Sequence, residues 1–303
     1  MKEQKSYFIL VLILGALSTI SPFSVDMYLP AFPAIAASLS TSISNVQLSL
    51  TSYLIGIAIG QLFYGPLLDK FGRKKPLYIG LWIYVVTSIG CSFTSSVESL
   101  IFMRFMQAVG GCVGMVRDIF PVNKIAQAFA MLTLVIAVSP MIAPTLGGYI
   151  TAHFHWHWLF IILSILCTLI IFACKWQLPD GADPDPSVSL KPKAVTYKYI
   201  EVLKDKQFFT YILVGGIAGA APFAYIAGSS NVFINIYGLS VTEYGWLFAF
   251  LSIAMIGATQ LNHILLNHFS NRTIVITALC YQLVIGFIMV IGVWANIFNV
   301  YFL

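Results

Sequence analysis

An aspartate and an arginine, each set within a long apolar run, are the residues of this chain best placed to do chemistry. Asp26 lies in Ser24-Val-Asp-Met-Tyr-Leu-Pro30, and Arg104 lies in Arg104-Phe-Met-Gln107-Ala-Val-Gly110. An ionised carboxylate at membrane depth costs about 2.5–3.5 kcal/mol on insertion scales, so an intramembrane acid is a functional residue by default. Burial raises the pKa of a carboxyl group and lets it take up a proton near neutral pH. That chemistry suits a proton carrier or a site for a cationic substrate, with Tyr28 beside it. The structural alternative is a wet acid near the outer interface, capping a helix that Pro30 bends. Arg104 has Gln107 one turn on, on the same helix face. A fixed positive charge lowers the pKa of a carboxylate in the same cavity, so proton release and substrate binding would compete. The alternative for Arg104 is a side chain snorkelling to the outer interface.

Positioning these groups is the task of membrane-spanning helices. The chain is 59% hydrophobic and 9% charged, with a mean hydropathy of +0.89, against roughly 25% charged residues in a soluble domain. Runs of about 20 apolar residues, enough to cross a bilayer, recur along it. The sequence predicts an all-α polytopic bundle of nine spans, at 7–34, 46–67, 76–96, 98–116, 121–151, 157–178, 208–236, 244–266 and 273–295. Of the 16 Lys and Arg residues, all but Arg104 gather at the N-terminus and around the even-numbered gaps. The positive-inside rule places that side, and the N-terminus, in the cytoplasm. The basic balance therefore reports topology and not nucleic-acid binding. The first apolar run is too long for a signal-peptide core and reads as an uncleaved first span.

Residues 179–206 break the pattern with Asp180, Asp183 and Asp185, four prolines and five lysines. They read as a cytoplasmic linker with a short amphipathic helix near Tyr197–Lys206. The expected organisation is a six-span half at 1–178, the linker at 179–206 and a partial second half of three spans at 207–303. Pro222 and Gly228 are expected to break span 7, which would make Tyr225, Ser229 and Asn231 candidate cavity polars. Glycine pairs four apart, Gly56 with Gly60, Gly110 with Gly114 and Gly215 with Gly219, permit close helix packing. His153, His155 and His157 could hold zinc, but no acid or cysteine completes a ligand set. Their other reading is an aromatic belt with Trp156 and Trp158 at headgroup level. The five cysteines fall within spans without metal-ligand spacing and read as small core residues. Neither a metal nor any other cofactor is expected. No nucleotide-binding loop or catalytic triad is present, so enzyme chemistry is not supported.

Between spans 2 and 3 runs Gly65-Pro-Leu-Leu-Asp-Lys-Phe-Gly-Arg-Lys-Lys-Pro-Leu77. Gly65 and Gly72 allow close approach or a bend, Asp69 is the one acid beside Lys70, Arg73, Lys74 and Lys75, and Pro76 suits a helix start. This segment resembles the signature loop of the major facilitator superfamily of secondary transporters, G-x-L-a-D-r-x-G-r-k. Arg104 to Gly110 resembles the span-4 motif R-x-x-Q-g-x-g, whose arginine is linked to proton movement in proton-coupled members. Ser139-Pro-Met-Ile-Ala-Pro-Thr-Leu-Gly-Gly148 resembles the antiporter motif, with Pro140, Pro144, Gly147 and Gly148 matching in kind. The resemblance gives that motif a role between the halves and in limiting leak.

Together with Asp26-Met-Tyr-Leu-Pro30, Gly60-Gln-Leu-Phe-Tyr-Gly-Pro-Leu67, Trp156-His-Trp-Leu-Phe160 and Phe223-Ala-Tyr-Ile-Ala-Gly-Ser229, these segments look like the Bcr/CflA group of drug:proton antiporters. The resemblance implies a multi-pass bacterial inner-membrane protein that exports hydrophobic or cationic drug-like compounds against proton entry. Its coupling and substrate residues would be Asp26, Arg104, Tyr28, Gln107 and Tyr225, and its gating loop would carry Gly65, Asp69, Gly72 and Arg73. Two departures from the pattern are a shorter stretch between Met115 and Arg117 and an expected lack of spans 10–12. They leave open an inactive truncated remnant or membrane scaffold, and the superfamily leaves open an uptake carrier.

Overall fold

A computed structural model describes residues 2–111, 138–139, 142–178, 184–266 and 268–295. Among these residues there are helices and turns and no strand. The helices are α1 (Lys2–Asp26), α2 (Phe32–Ser38), α3 (Ile43–Phe71), α4 (Lys74–Ser92), α5 (Val97–Gly111), α6 (142–153), α7 (His157–Gln177), α8 (Pro192–Lys204), α9 (Lys206–Ser230), α10 (Val241–Leu265) and α11 (Asn271–Trp294). Six spans among the described residues are long and apolar enough to cross a membrane. The predicted start of span 5, the end of span 4 with Cys112, Met115 and Arg117, Pro140, the linker residues 179–183 and the tail after Ala295 lie outside the described residues.

Helix starts follow side-chain capping. The Ser42 hydroxyl accepts from the Asn45 N–H, the Asp205 carboxylate from the Phe208 N–H, and the Ser270 hydroxyl from the Thr273 N–H. Ser240 and Glu243 form a reciprocal capping box at the start of α10, satisfying donors that have no intrahelical partner. Gly72 ends α3 at φ 77° and ψ 172°, backbone that residues with a Cβ rarely adopt. Pro76 stands in the first turn of α4, where no N–H is needed.

The first span departs from the expected single helix over 7–34. Pro30 and Pro33 supply no N–H, so α1 stops at Asp26 and a 3-10 turn over Leu29–Ala31 leads into α2. The Tyr28 N–H turns to the Val25 carbonyl, at 3.2 Å, instead of the Ser24 carbonyl one residue earlier. In α9 the departure runs the other way. The helix passes unbroken through Pro222 and Gly228, and the irregularity is a π turn at Asn231–Ile236. One proline removes one hydrogen bond, and in this helix the ladder resumes beyond it.

The core sits among α1, α3, α4, α5 and α7, with α5 wedged between α3 and α4 and α7 covering α4 and α1. Cys91, Cys167 and Cys174 are buried in it as free thiols, whereas Cys280 is exposed. The Gly56 and Gly110 faces do meet neighbouring helices, but Gly215 and Gly219 meet nothing within 4 Å among the described residues. Trp156 is also core, at 2% exposure, and does not lie in an outer belt. The linker helix forms earlier than expected, at Pro192–Lys204, because Pro192 starts it and Asp205 begins the next helix.

Candidate functional site

The break in the first span builds the site. With the Tyr28 N–H turned away, the Ser24 carbonyl accepts from Arg104 Nη2 of α5 at 3.0 Å. Arg104 Nη1 donates to Gln107 Oε1 at 2.7 Å, and Gln107 Nε2 donates to Ser88 Oγ of α4 at 2.6 Å. Ser24 Oγ pairs with the Tyr84 hydroxyl. Three helices are thus tied to one guanidinium. Arg104 and Gln107 are fully buried, which overturns the snorkelling alternative.

Aromatic rings enclose this charge. The guanidinium carbon lies 4.1 Å from the Tyr53 ring centroid and 4.5 Å from that of Tyr28. A desolvated cation over such a face gains about 2 kcal/mol or more. The Tyr28 hydroxyl bonds Ser49 Oγ at 2.6 Å, and its ring packs on Phe160 with centroids 5.7 Å apart. Arginine stays charged in proteins, yet no carboxylate pairs with Arg104 among the described residues. The carbonyl and the rings stand in for a counterion.

Asp26 follows two residues after the gripped carbonyl and is 5% exposed. It is not paired with Arg104, and it makes no hydrogen bond or ion pair among the described residues. Instead it lies within electrostatic reach of Tyr244 of α10, whose hydroxyl bonds Ser229 Oγ of α9 at 2.7 Å. The Arg104 network thus leaves out Asp26, and the break that follows Asp26 packs against α9 and α10, where Tyr244 and Ser229 form a second polar cluster. Tyr225 belongs to the second, its ring 6.4 Å from Phe233 and 6.3 Å from Phe248.

Helix α6 lies against both sides. Gly147 abuts the Met27 backbone, and Thr145 abuts Gly245 of α10. Pro144 and Gly148 are buried in the same helix. The loop residues lie apart from this cluster: Asp69 Oδ1 is 3.9 Å from Arg73 Nη2, Gly65 faces α8, and Gly72 makes the left-handed turn. His155 and His157 have centroids 5.3 Å apart, and His153 contacts the Tyr149 carbonyl. No group of three metal-ligating side chains occurs among the described residues.

Sequence reasoning missed Ser24, Ser49, Tyr53, Tyr84, Ser88 and Tyr244. A signal existed for four of them: Ser49 with Tyr53 and Tyr84 with Ser88 are hydroxyl pairs four apart on apolar spans, hence on one face. For Tyr244 no such signal is visible.

A family model described as "Major Facilitator Superfamily" matches residues 14–303. A bicyclomycin resistance protein homolog of Haemophilus influenzae is 33% identical over 292 residues, covering 94% of this chain and 73% of its own length. Multidrug resistance protein D of Escherichia coli is 29% identical over 235 residues, 75% of this chain and 59% of that protein. Among solved structures, an inward-facing bacterial homolog of the human lysosomal transporter Spinster aligns with a TM-score of 0.65 at 17% identity, over 88% of this chain and 64% of that one. The chain thus spans about two thirds of the length of the proteins it matches.

Proposed function

The chain belongs to the major facilitator superfamily and within it to the Bcr/CflA group, and from that premise we propose that it exports drug-like compounds across the bacterial inner membrane in exchange for protons. The observation that carries the reading is Asp26: a buried carboxyl group at the end of α1, two residues after a carbonyl held by the Arg104 guanidinium, at a helix break that packs against α9 and α10. In this reading Asp26 binds either a proton or a hydrophobic or cationic substrate. Tyr28, Gln107 and Tyr225 shape its surroundings, and Arg104 holds the break in register. Alternating access rocks one half of such a fold against the other. The halves are taken as 1–178 and 207–303, joined by 179–206, with the N-terminus in the cytoplasm. Helix α6, wedged between the first span and α10, supplies the sliding contact. The loop carrying Gly65, Asp69, Gly72 and Arg73 gates the cytoplasmic side. The drug-resistance names of the relatives support the substrate class.

The test is proton release on adding a cationic dye to proteoliposomes that carry this chain. Wild type is expected to respond, and Asp26→Asn to lose the response. Equal release from the two would remove Asp26 from the mechanism, and uptake of a sugar without proton release would replace export by solute import.

A further inference from the structure

The linker helix α8 has contacts that the transport reading does not use. Pro66 lies inside α3 and has no N–H, so the Leu62 carbonyl one turn earlier lacks its helical donor. The Tyr199 hydroxyl of α8 donates to that carbonyl at 2.7 Å. Gly65 lies alongside this bond, where a methyl group would make ordinary contact with the same hydroxyl at 3.5 Å. In the last turn of α3, the Asp69 carbonyl accepts from the Asp185 N–H at 3.0 Å. Carbonyls of a helix's last turn have no intrahelical partner. The linker therefore clasps the end of a membrane span at two carbonyls.

These clasps also fix where α8 lies. Its middle is tied to α3, and its end runs through Asp205 into α9, another membrane span. Asp205 stands at the start of a span, and the α3 carbonyls that the linker holds, Leu62 and Asp69, lie within the last ten residues of that helix, which sets α8 at the level of the bilayer interface. Val202 and Leu203 follow Tyr199 at three and four residues and share its face. They are 46% and 45% exposed. Lys193 and Lys198 stand on opposite flanks of that face, Lys204 beyond Lys193, and all three are exposed. Glu201 is the only acid in the helix. An amphipathic helix with this arrangement buries its apolar face in the interface and turns its lysines to the headgroups.

We infer that α8 is a docking surface for anionic phospholipid, and that through Tyr199 the bound leaflet pins the end of α3 and the Gly65–Leu77 loop. The occupant is a lipid surface and not a soluble protein. The apolar strip is narrow and continuous with a membrane span, and the flanking charge is positive. Each lysine near an anionic surface contributes enough that removing three weakens association about a hundredfold. The inference does not depend on what the chain transports.

The test is hydrogen exchange on the full chain in nanodiscs of phosphatidylcholine alone and of phosphatidylcholine with phosphatidylglycerol. Anionic lipid is expected to slow exchange in residues 192–204 and in 62–72. Raised salt should reverse both changes in the wild type, because surface charge is screened. K193Q/K198Q/K204Q should lose the response to phosphatidylglycerol. Tyr199→Phe should keep it in 192–204 and lose it in 62–72. Equal exchange in the two lipids, or insensitivity to salt, would overturn the lipid surface. A response in 62–72 that survives Tyr199→Phe would overturn the pinning.

Discussion

Gly147 of α6 lies directly on the backbone of Met27, so close that a methyl group on Gly147 would overlap the Met27 carbonyl. Pro30 explains that carbonyl: it cannot donate to it, and the Ala31 N–H goes to the Tyr28 carbonyl at 3.1 Å. The antiporter-type glycine and the broken first span are therefore one contact, made next to Asp26. Gly147→Ala should force α6 away from α1 at a cost of about 1–3 kcal/mol, the usual range for overpacking. Gly245→Ala meets Thr145 at 3.2 Å and should cost less. Thermal unfolding in detergent would order the two variants, and the reverse order would contradict the contact.

Arg104→Lys keeps the charge but cannot reach the Ser24 carbonyl and Gln107 together. Breaking one side of a buried charged network costs about 3–5 kcal/mol. Arg104→Met removes the charge along with its need for partners, and replacing a buried ion by an apolar side chain is often close to neutral. Thermal unfolding should therefore find Lys more damaging than Met. Equal melting of the two variants would show that the network contributes little.

Gly72 sits at φ 77° and ψ 172°, where residues with a Cβ carry about 1–3 kcal/mol of strain. Gly72→Ala should lower the melting temperature, and Gly65→Ala, which meets only the Tyr199 hydroxyl at 3.5 Å, should not. A proteolysis rate for the loop would read the same difference.

The Tyr199 hydroxyl is held above the usual phenol range, first by its partial burial and then by the nearby Asp69 carboxylate. A raised folded pKa means that the clasp is fully present below the ordinary value near 10 and is lost as pH rises through the folded value. Exchange in residues 62–66 should therefore accelerate at strongly alkaline pH in wild type, beyond the intrinsic rise. In Tyr199→Phe it should follow the intrinsic rise alone.

The family, the all-α class and the existence of the spans were legible in composition and in the Gly65–Leu77 loop. Apolar length and charge bias act locally along the chain, and a bilayer reads them one span at a time. Asp26, Arg104 and Gln107 stood out for the same reason, as polar groups where the local environment makes polarity expensive. Their partners did not stand out. Ser24 serves through its carbonyl, which every residue has, and only the turn around Tyr28 and Pro30 frees it. Tyr53 and Tyr28 look like ordinary core aromatics until α5 brings a guanidinium 4.1 and 4.5 Å from their rings. The unbroken course of α9 through Pro222 was equally hidden, since a single proline can kink, end or merely interrupt a helix. A sequence lists which groups are costly to bury; only the packing of α1, α3, α4 and α5 decides which neighbours meet that cost. The pairing energy depends on distances of a few ångströms between residues up to 80 positions apart.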